Sequence, residues 1–332
     1  MPTSVHSSNK IKKLTKFLPH TANKNPSDNT QPNARDDLAK GMRAGQWQAK
    51  LGLKVANRKA GARLVSCRRL GPLHIQKAFY PEGTDLAHLY ILHPPGGLVS
   101  GDTLTINAEV QEDSHALITT PGAGRLYGAR DGAVTQTQLN QLHVAKDASL
   151  EWFPMETLMY SRSYGVSKTR VDIEKGGKFM GWDISSLGLP ASGQPFVEGE
   201  LRQCFDIHYD GKIDWLERWR FNADDKAFLS SQAGLQNQSC NGVFIVGPFI
   251  NNNEQPDNHT TKELVKQIHA LCETTREQEK GLAGVSQVSH WIVVRYLGHS
   301  TTHARDLFTQ AWHLLRPQLL KRPACAPRIW TC

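Results

Sequence analysis

The stretch QCFDIHYDGKIDWLERWRF, residues 203–221, decides the fold class. Asp210-Gly211 sits at its centre, and apolar and polar residues alternate on both sides. A two-residue Asp-Gly turn between period-two flanks is the strongest short hairpin signal a sequence offers. The same alternation recurs upstream. TLTINAEV (103–110), HALITTPG (115–122), TQTQLNQLHV (135–144) and SLEWFPME (149–156) each read as strands, and TRVDIEKGGKFMGWDIS (169–185) places Gly176-Gly177 between two such runs. Turn residues return roughly every ten positions, as in sandwiches, barrels or stacked sheets. No internal repeat is clear enough to indicate a solenoid. The expected fold is therefore mainly β, with stacked or antiparallel sheets.

Helical spacing is confined to the last third of the chain. TTKELVKQIHALCETTREQEK carries Leu264, Ile268, Leu271 and Cys272 on one face, which predicts a helix near 260–280 with Thr260 and Glu263 as a capping box. THARDLFTQAWHLLRPQLL predicts a second near 302–320, through Leu307, Ala311, Trp312 and Leu315, with Pro317 as its stop. Between them HWIVVRYLG (290–298) reads as a buried strand.

Bulk properties narrow the function class. The chain has 332 residues, 39% hydrophobic and 21% charged, enough to bury a substantial core. Residues 1–42 are rich in Asn, Ser, Thr, Pro and Lys and read as a disordered polar and basic tail ahead of a β-rich domain over 43–332. Seven Lys or Arg against three Asp in residues 1–40 hold about half of the +8 net charge, and no RNA-binding signature follows. Nucleic acid is not an expected partner. Nor is a membrane, since no long apolar run exists. Without a secretory signal, and with six dispersed cysteines and no CxxC, a cytoplasmic protein with reduced thiols is expected.

The loops invite catalytic readings and fail them. LHPPGGLVSGD (92–102) lacks the Lys and Ser or Thr of a phosphate-binding loop and precedes a strand. Its glycines read as turn geometry, with Gly96-Gly97 supplying positive φ. His93 and Asp102 stand at its two ends. TTPGAGRLYGA (119–129) is a second glycine-rich loop without that Lys, and LGLPASGQPF (187–196) lacks GxSxG. The fourteen histidines form no HxH, HxxxH or HExxH, so a closed metal cage is not expected. Glu156 follows WFP. Asp183 lies in an apolar run, either on a solvent face or buried and functional. Glu198 with Glu200, Asp214, and Glu217 beside Trp219 read as solvated faces. The competing readings are a β-rich hydrolase or lyase built on His93, Asp102 and Glu156, and a carbohydrate- or nucleic-acid-binding module.

Six blocks resemble one family in order. GPLHIQKAFYPEG (71–83), HLYILHPPGGLVSGD (88–102), TTPGAGRLY (119–127), LEWFPMET (150–157), GWDISSLGLPASGQ (181–194) and PRIWTC (327–332) are similar to urease accessory protein UreD, also called UreH. The likeness runs from about Trp47 to the end. Met155, Leu189, Gln194, Ser100, Gly128-Ala129 and Cys332 depart from the family's common Gln, Arg, Glu, Gly, Arg-Ser and Thr. These departures bear on partner contacts at 128–129, 189 and 194.

The resemblance implies a non-enzymatic scaffold of urease maturation. It would join a helical UreF-type protein and a UreG-type GTPase, dock on apo-urease and help deliver nickel to its active site. No cofactor would be tightly bound, nickel would pass transiently, and GTP would be handled only by the partner. Under this resemblance Asp102, Asp183 and Glu156, with His93 behind them, are the expected nickel-path residues. Arg328 and Trp330 are candidates for a partner interface, the alternative being that they close the core.

Overall fold

The computed structural model describes residues 47–130, 134–251 and 255–331; the expected tail (1–42) and Cys332 lie outside the described residues. Strands Gly199–Tyr209 and Lys212–Asn222 pair antiparallel across the Asp210-Gly211 turn. Both turn residues have positive φ, 49° and 75°, as the twist-matched two-residue hairpin requires. This hairpin forms one edge of a seven-stranded sheet. Inward from it lie Ser163–Ile173, Gln136–Val144, Thr103–Val110, Gln48–Arg58 and, at the far edge, Gly61–Leu70.

The interior of that sheet is parallel, which corrects the antiparallel expectation. Gln136–Val144 pairs parallel with both Thr103–Val110 and Ser163–Ile173, and the latter pairs parallel with Gly199–Tyr209. Between successive visits the chain contributes a strand to a second, eleven-stranded sheet. There Leu86–Leu92, His115–Thr119, Ser149–Phe153 and Lys178–Leu189 are again parallel neighbours. Leu86 pairs with His115, His115 with Ser149, and Ser149 with Lys178. The chain thus winds as a flattened coil, each turn on the order of thirty residues, placing one strand in each sheet. Antiparallel strands Cys240–Gly247, Trp291–Gly298 and Leu282–Val288 extend the second sheet at one side, and His74–Phe79 closes the other.

The second sheet is buried on both faces, and its alternation sorts side chains into two cores. From Lys178–Leu189, Phe179 and Leu187 point to the first sheet, packing with Leu51, Ile106, Val171 and Phe205. Met180, Trp182 and Ile184 point the other way, onto the helices. Helix α1 (Lys226–Ser230) is short and has no counterpart in the sequence expectation. Helices α2 (Asn258–Glu277) and α3 (Thr301–Leu320) bury Leu264, Ile268, Cys272, Leu307, Ala311, Trp312 and Leu315. Two details differ from expectation. Asp257, not Thr260, caps α2, its carboxylate accepting from the Thr260 N–H at 3.1 Å. Pro317 is accommodated inside α3, which runs on to Leu320 and ends where Lys321 adopts a left-handed conformation.

A buried charge cluster pins α3 to the sheet. The Arg316 guanidinium donates to both oxygens of Glu151 at 3.0–3.1 Å and to both of Glu82 at 2.7–2.8 Å. Trp312 Nε1 donates to Glu151 at 2.7 Å, and His88 Nε2 lies 2.7 Å from Glu82. Burial raises the Glu151 pKa against the pull of Arg316. Burial also works to raise Glu82, but hydrogen bonds from His88 and Arg316 outweigh it and hold Glu82 below its ordinary value.

Candidate functional site

The coil has two unlike ends. Between parallel strands, steps from the seven-stranded to the eleven-stranded sheet use tight turns, at 111–114, 145–148 and 174–177, whereas the last step, 223–239, is long and carries α1. Steps in the other direction use long loops, beginning at residues 93, 120, 154 and 190. Parallel stacking therefore gathers every long loop at one end. Backbone hydrogen bonds tie them into a ladder. Leu98 N donates to Arg125 O at 2.8 Å, Gly124 N to Glu156 O at 2.9 Å, Ala129 N to Arg162 O at 2.7 Å and Arg162 N to Glu198 O at 2.7 Å. The buried amide of Gln136 donates to Leu98 O and Tyr127 O and accepts from Tyr164 N, joining two of the connections to the strand Ser163–Ile173. The proline- and glycine-rich blocks that read singly as turns are thus neighbours in space.

Beneath this ladder, between the two sheets, lies a cavity of about 210 Å³. Its walls include an unusual polar patch. Along Gln136–Val144 the inward positions run Gln136, Gln138, Asn140, Leu142, Val144; along Ser163–Ile173 they run Ser163, Gly165, Ser167, Thr169, Val171, Ile173. Both strands are polar toward the loop end and apolar toward the turn end. Asn140 Nδ2 donates to Thr169 Oγ1 at 3.0 Å and Gln138 Nε2 to Asn140 Oδ1 at 3.4 Å. Polar groups facing inward need such partners, and these satisfy one another around open space.

Asp183 and His93 line this cavity together, from opposite ends of the sequence block between them. Asp183 is half-buried and lines the cavity. Burial raises its pKa; a Gln203 hydrogen bond opposes the rise and the Glu217 charge adds to it. Burial also lowers the His93 pKa, against the attraction of Asp102, so the imidazole is neutral at pH 7 with a lone pair to offer. The other two acidic candidates lie off the cavity wall. Asp102 folds back on its own loop, its carboxylate accepting from Val99 N at 2.9 Å. Glu156 turns to the helix side and pairs with Arg305 at 3.1 Å. Glu217 is not on a solvated face: it is buried between the sheets, held by Arg295 at 2.8–2.9 Å and by Trp219 Nε1 at 2.6 Å. Asp214 accepts from Trp291 Nε1 at 2.7 Å and contacts His290.

Trp330 packs against Phe153, Trp182 and Trp312, with ring centroids 5.5–6.0 Å apart, and its Nε1 donates to Thr119 Oγ1 at 3.0 Å. That placement closes the outer core. Arg328 lines a separate groove with Phe79, Tyr80 and Tyr90.

Gly96 and Gly97 earn their places differently. Gly96 takes a positive φ of 74°, as its turn demands. Gly97 does not; an added Cβ there would stand 2.5 Å from the Tyr127 ring and 2.8 Å from Arg125 O. Gly97→Ala is expected to destabilise the protein by about 1–3 kcal/mol through that overlap, read as a lower urea midpoint.

Gln138, Asn140, Ser167, Thr169 and Arg125 were not singled out by the sequence analysis. The signal available for four of them was two strands polar at alternating positions on both faces, where neighbouring strands are apolar on one. Among the described residues, no three His, Cys, Asp or Glu side chains gather closely enough to hold a metal ion. No helix among them is long and apolar enough to cross a membrane.

The comparisons with known proteins agree with one another. The family described as "UreD urease accessory protein" matches residues 48–331. The chain is 39% identical over 301 residues to "Urease accessory protein UreD" of Marinomonas sp. (strain MWYL1), spanning 90% of this chain and 95% of that protein. It is 39% identical over 292 residues to the protein of that name from Psychromonas ingrahamii, spanning 86% and 94%. The match to the Marinobacter nauticus protein of that name is 40% over 273 residues, spanning 81% and 85%. The matched region takes in both sheets, the loop ladder and the helices, and the chain belongs to the UreD family of urease accessory proteins.

Proposed function

We propose that this chain is a non-catalytic scaffold of urease maturation that passes nickel, as cargo, through the inter-sheet cavity toward apo-urease. A helical UreF-type protein and a UreG-type GTPase would complete the assembly, with GTP chemistry confined to the latter. The observation that carries this reading is the shared placement of Asp183 and His93 on the wall of one interior cavity under the loop ladder. A buried carboxylate whose burial opposes ionisation gains most from an arriving divalent cation, which supplies the missing counter-charge. A neutral imidazole adds a second donor suited to nickel. Neither alone makes a closed cage, so cargo can leave.

Two experiments test this. Supplied in trans to its cognate urease cluster lacking the corresponding gene, the chain is expected to restore urease activity in nickel-containing medium. Absence of restoration with cognate urease and accessory proteins overturns the proposal. In the second, equilibrium dialysis of the purified chain against Ni²⁺ is run across pH. The raised Asp183 pKa means that rising pH frees the carboxylate, so nickel association is expected to strengthen with pH, and Asp183→Asn to flatten that dependence. A wild-type profile already flat across the Asp183 titration contradicts the assignment.

A further inference from the structure

We propose that Arg125 is the residue that keeps the cavity's grip on a divalent cation weak, and so determines release of the cargo. This rests on the reading of the cavity as a cation path. Arg125 belongs to the short strand Gly124–Leu126 of the loop ladder, and its side chain lines the same cavity as Asp183 and His93. Its guanidinium is tethered lightly. Among the described residues its one side-chain hydrogen bond is to Gly96 O, at 3.5 Å. Arg295, Arg305 and Arg316 are instead each locked onto a carboxylate at 3.1 Å or less. The backbone of Gly96 and Gly97 passes so close that a Cβ on Gly96 would lie 3.4 Å from Arg125 Nη1, and one on Gly97 would lie 2.9 Å from Arg125 Cβ. The loop is thus shaped around this arginine.

A guanidinium stays protonated at any physiological pH, so it places a permanent positive charge on the wall. The Coulomb interaction of that charge with an entering ion grows as the two approach. It opposes a divalent cation and offsets the attraction of Asp183. Asp183 and His93 leave the cage open, and the positive charge weakens their hold on the ion further. The long side chain and its single weak tether let the guanidinium shift as an ion passes.

The test compares the full chain with Arg125→Gln, Arg125→Lys, Asp183→Asn and the Arg125→Gln/Asp183→Asn double variant, using Ni²⁺ alone in equilibrium dialysis and near-UV circular dichroism as the fold control. Arg125→Gln keeps a donor for Gly96 O while removing the charge. It is expected to tighten Ni²⁺ binding about tenfold or more, with Arg125→Lys close to the parent and urease activation lowered in Arg125→Gln because cargo is retained. The double variant is expected to bind more weakly than Arg125→Gln, because the attracting carboxylate is gone. A folded Arg125→Gln protein that binds like the parent, while Asp183→Asn weakens binding, overturns the role of Arg125 and leaves the cavity reading standing. If Asp183→Asn changes nothing in either background, the cavity reading falls and this inference with it.

Discussion

Asp183→Asn is expected to lower urease activation on the order of ten- to a hundredfold while leaving the protein folded. The asparagine is nearly isosteric and can still meet Gln203. It removes a charge that the interior disfavours, since burial already raises the Asp183 pKa. Stability is therefore expected to hold or rise slightly. Measuring urease activity in the complemented cluster alongside the thermal midpoint of the purified chain separates the two effects. A full activation level with Asn at 183 removes this residue from any nickel path. Asp102→Asn and Glu156→Gln serve as comparisons, since one carboxylate caps Val99 and the other pairs with Arg305.

Replacing Arg316 by methionine should be the most damaging single substitution for stability. The side chain is fully buried and bridges Glu82 and Glu151. Removing one partner from a buried ion cluster leaves uncompensated charge and costs about 3–5 kcal/mol. The expected result is a fall of that size in unfolding free energy by urea titration. The triple change Arg316→Met, Glu82→Gln, Glu151→Gln is expected to recover a substantial part of it, because no unpaired carboxylate then remains. A single Arg316→Met variant as stable as the parent would show the cluster to be dispensable. The pH dependence follows from Glu82, whose folded pKa lies below the ordinary 4.5. Its contribution is present above that ordinary value and is lost as pH falls through the lower folded value. Stability is thus expected to fall below pH 4.5, and more steeply than in a Glu82→Gln background, which lacks the titrating carboxylate.

The strands were legible because period-two alternation survives wherever one face meets solvent. TLTINAEV matches strand Thr103–Val110, and the Asp-Gly hairpin forms as expected. What alternation cannot carry is partner identity. A tight turn between two alternating runs looks the same whether it folds them into one hairpin or hands the chain to a facing sheet. The Gly176-Gly177 turn does the second, joining Ser163–Ile173 of one sheet to Lys178–Leu189 of the other. Turns of unequal length then hide the repeat. The site was legible in part for the same reason. GWDIS is buried on both faces, so its pattern could not tell whether Asp183 faced water or the interior. Glu217 read as solvated beside Trp219 on one strand face, yet Arg295, nearly eighty positions on, is what permits its burial.

Parallel winding also governs how the chain can assemble. A hairpin finds its partner within a few residues, but each central strand must wait for the next full turn before its backbone groups are paired. Loop closure over that distance is entropically slow, and its cost is met again at each added turn. The antiparallel pairs at the two edges of the seven-stranded sheet, Gln48–Arg58 with Gly61–Leu70 and Gly199–Tyr209 with Lys212–Asn222, are the local exceptions. They are the natural starting points from which structure propagates inward, each turn serving as template for its neighbour. Folding intermediates of this chain are therefore expected to hold their edges before their middle, with the cavity walls among the last parts to form.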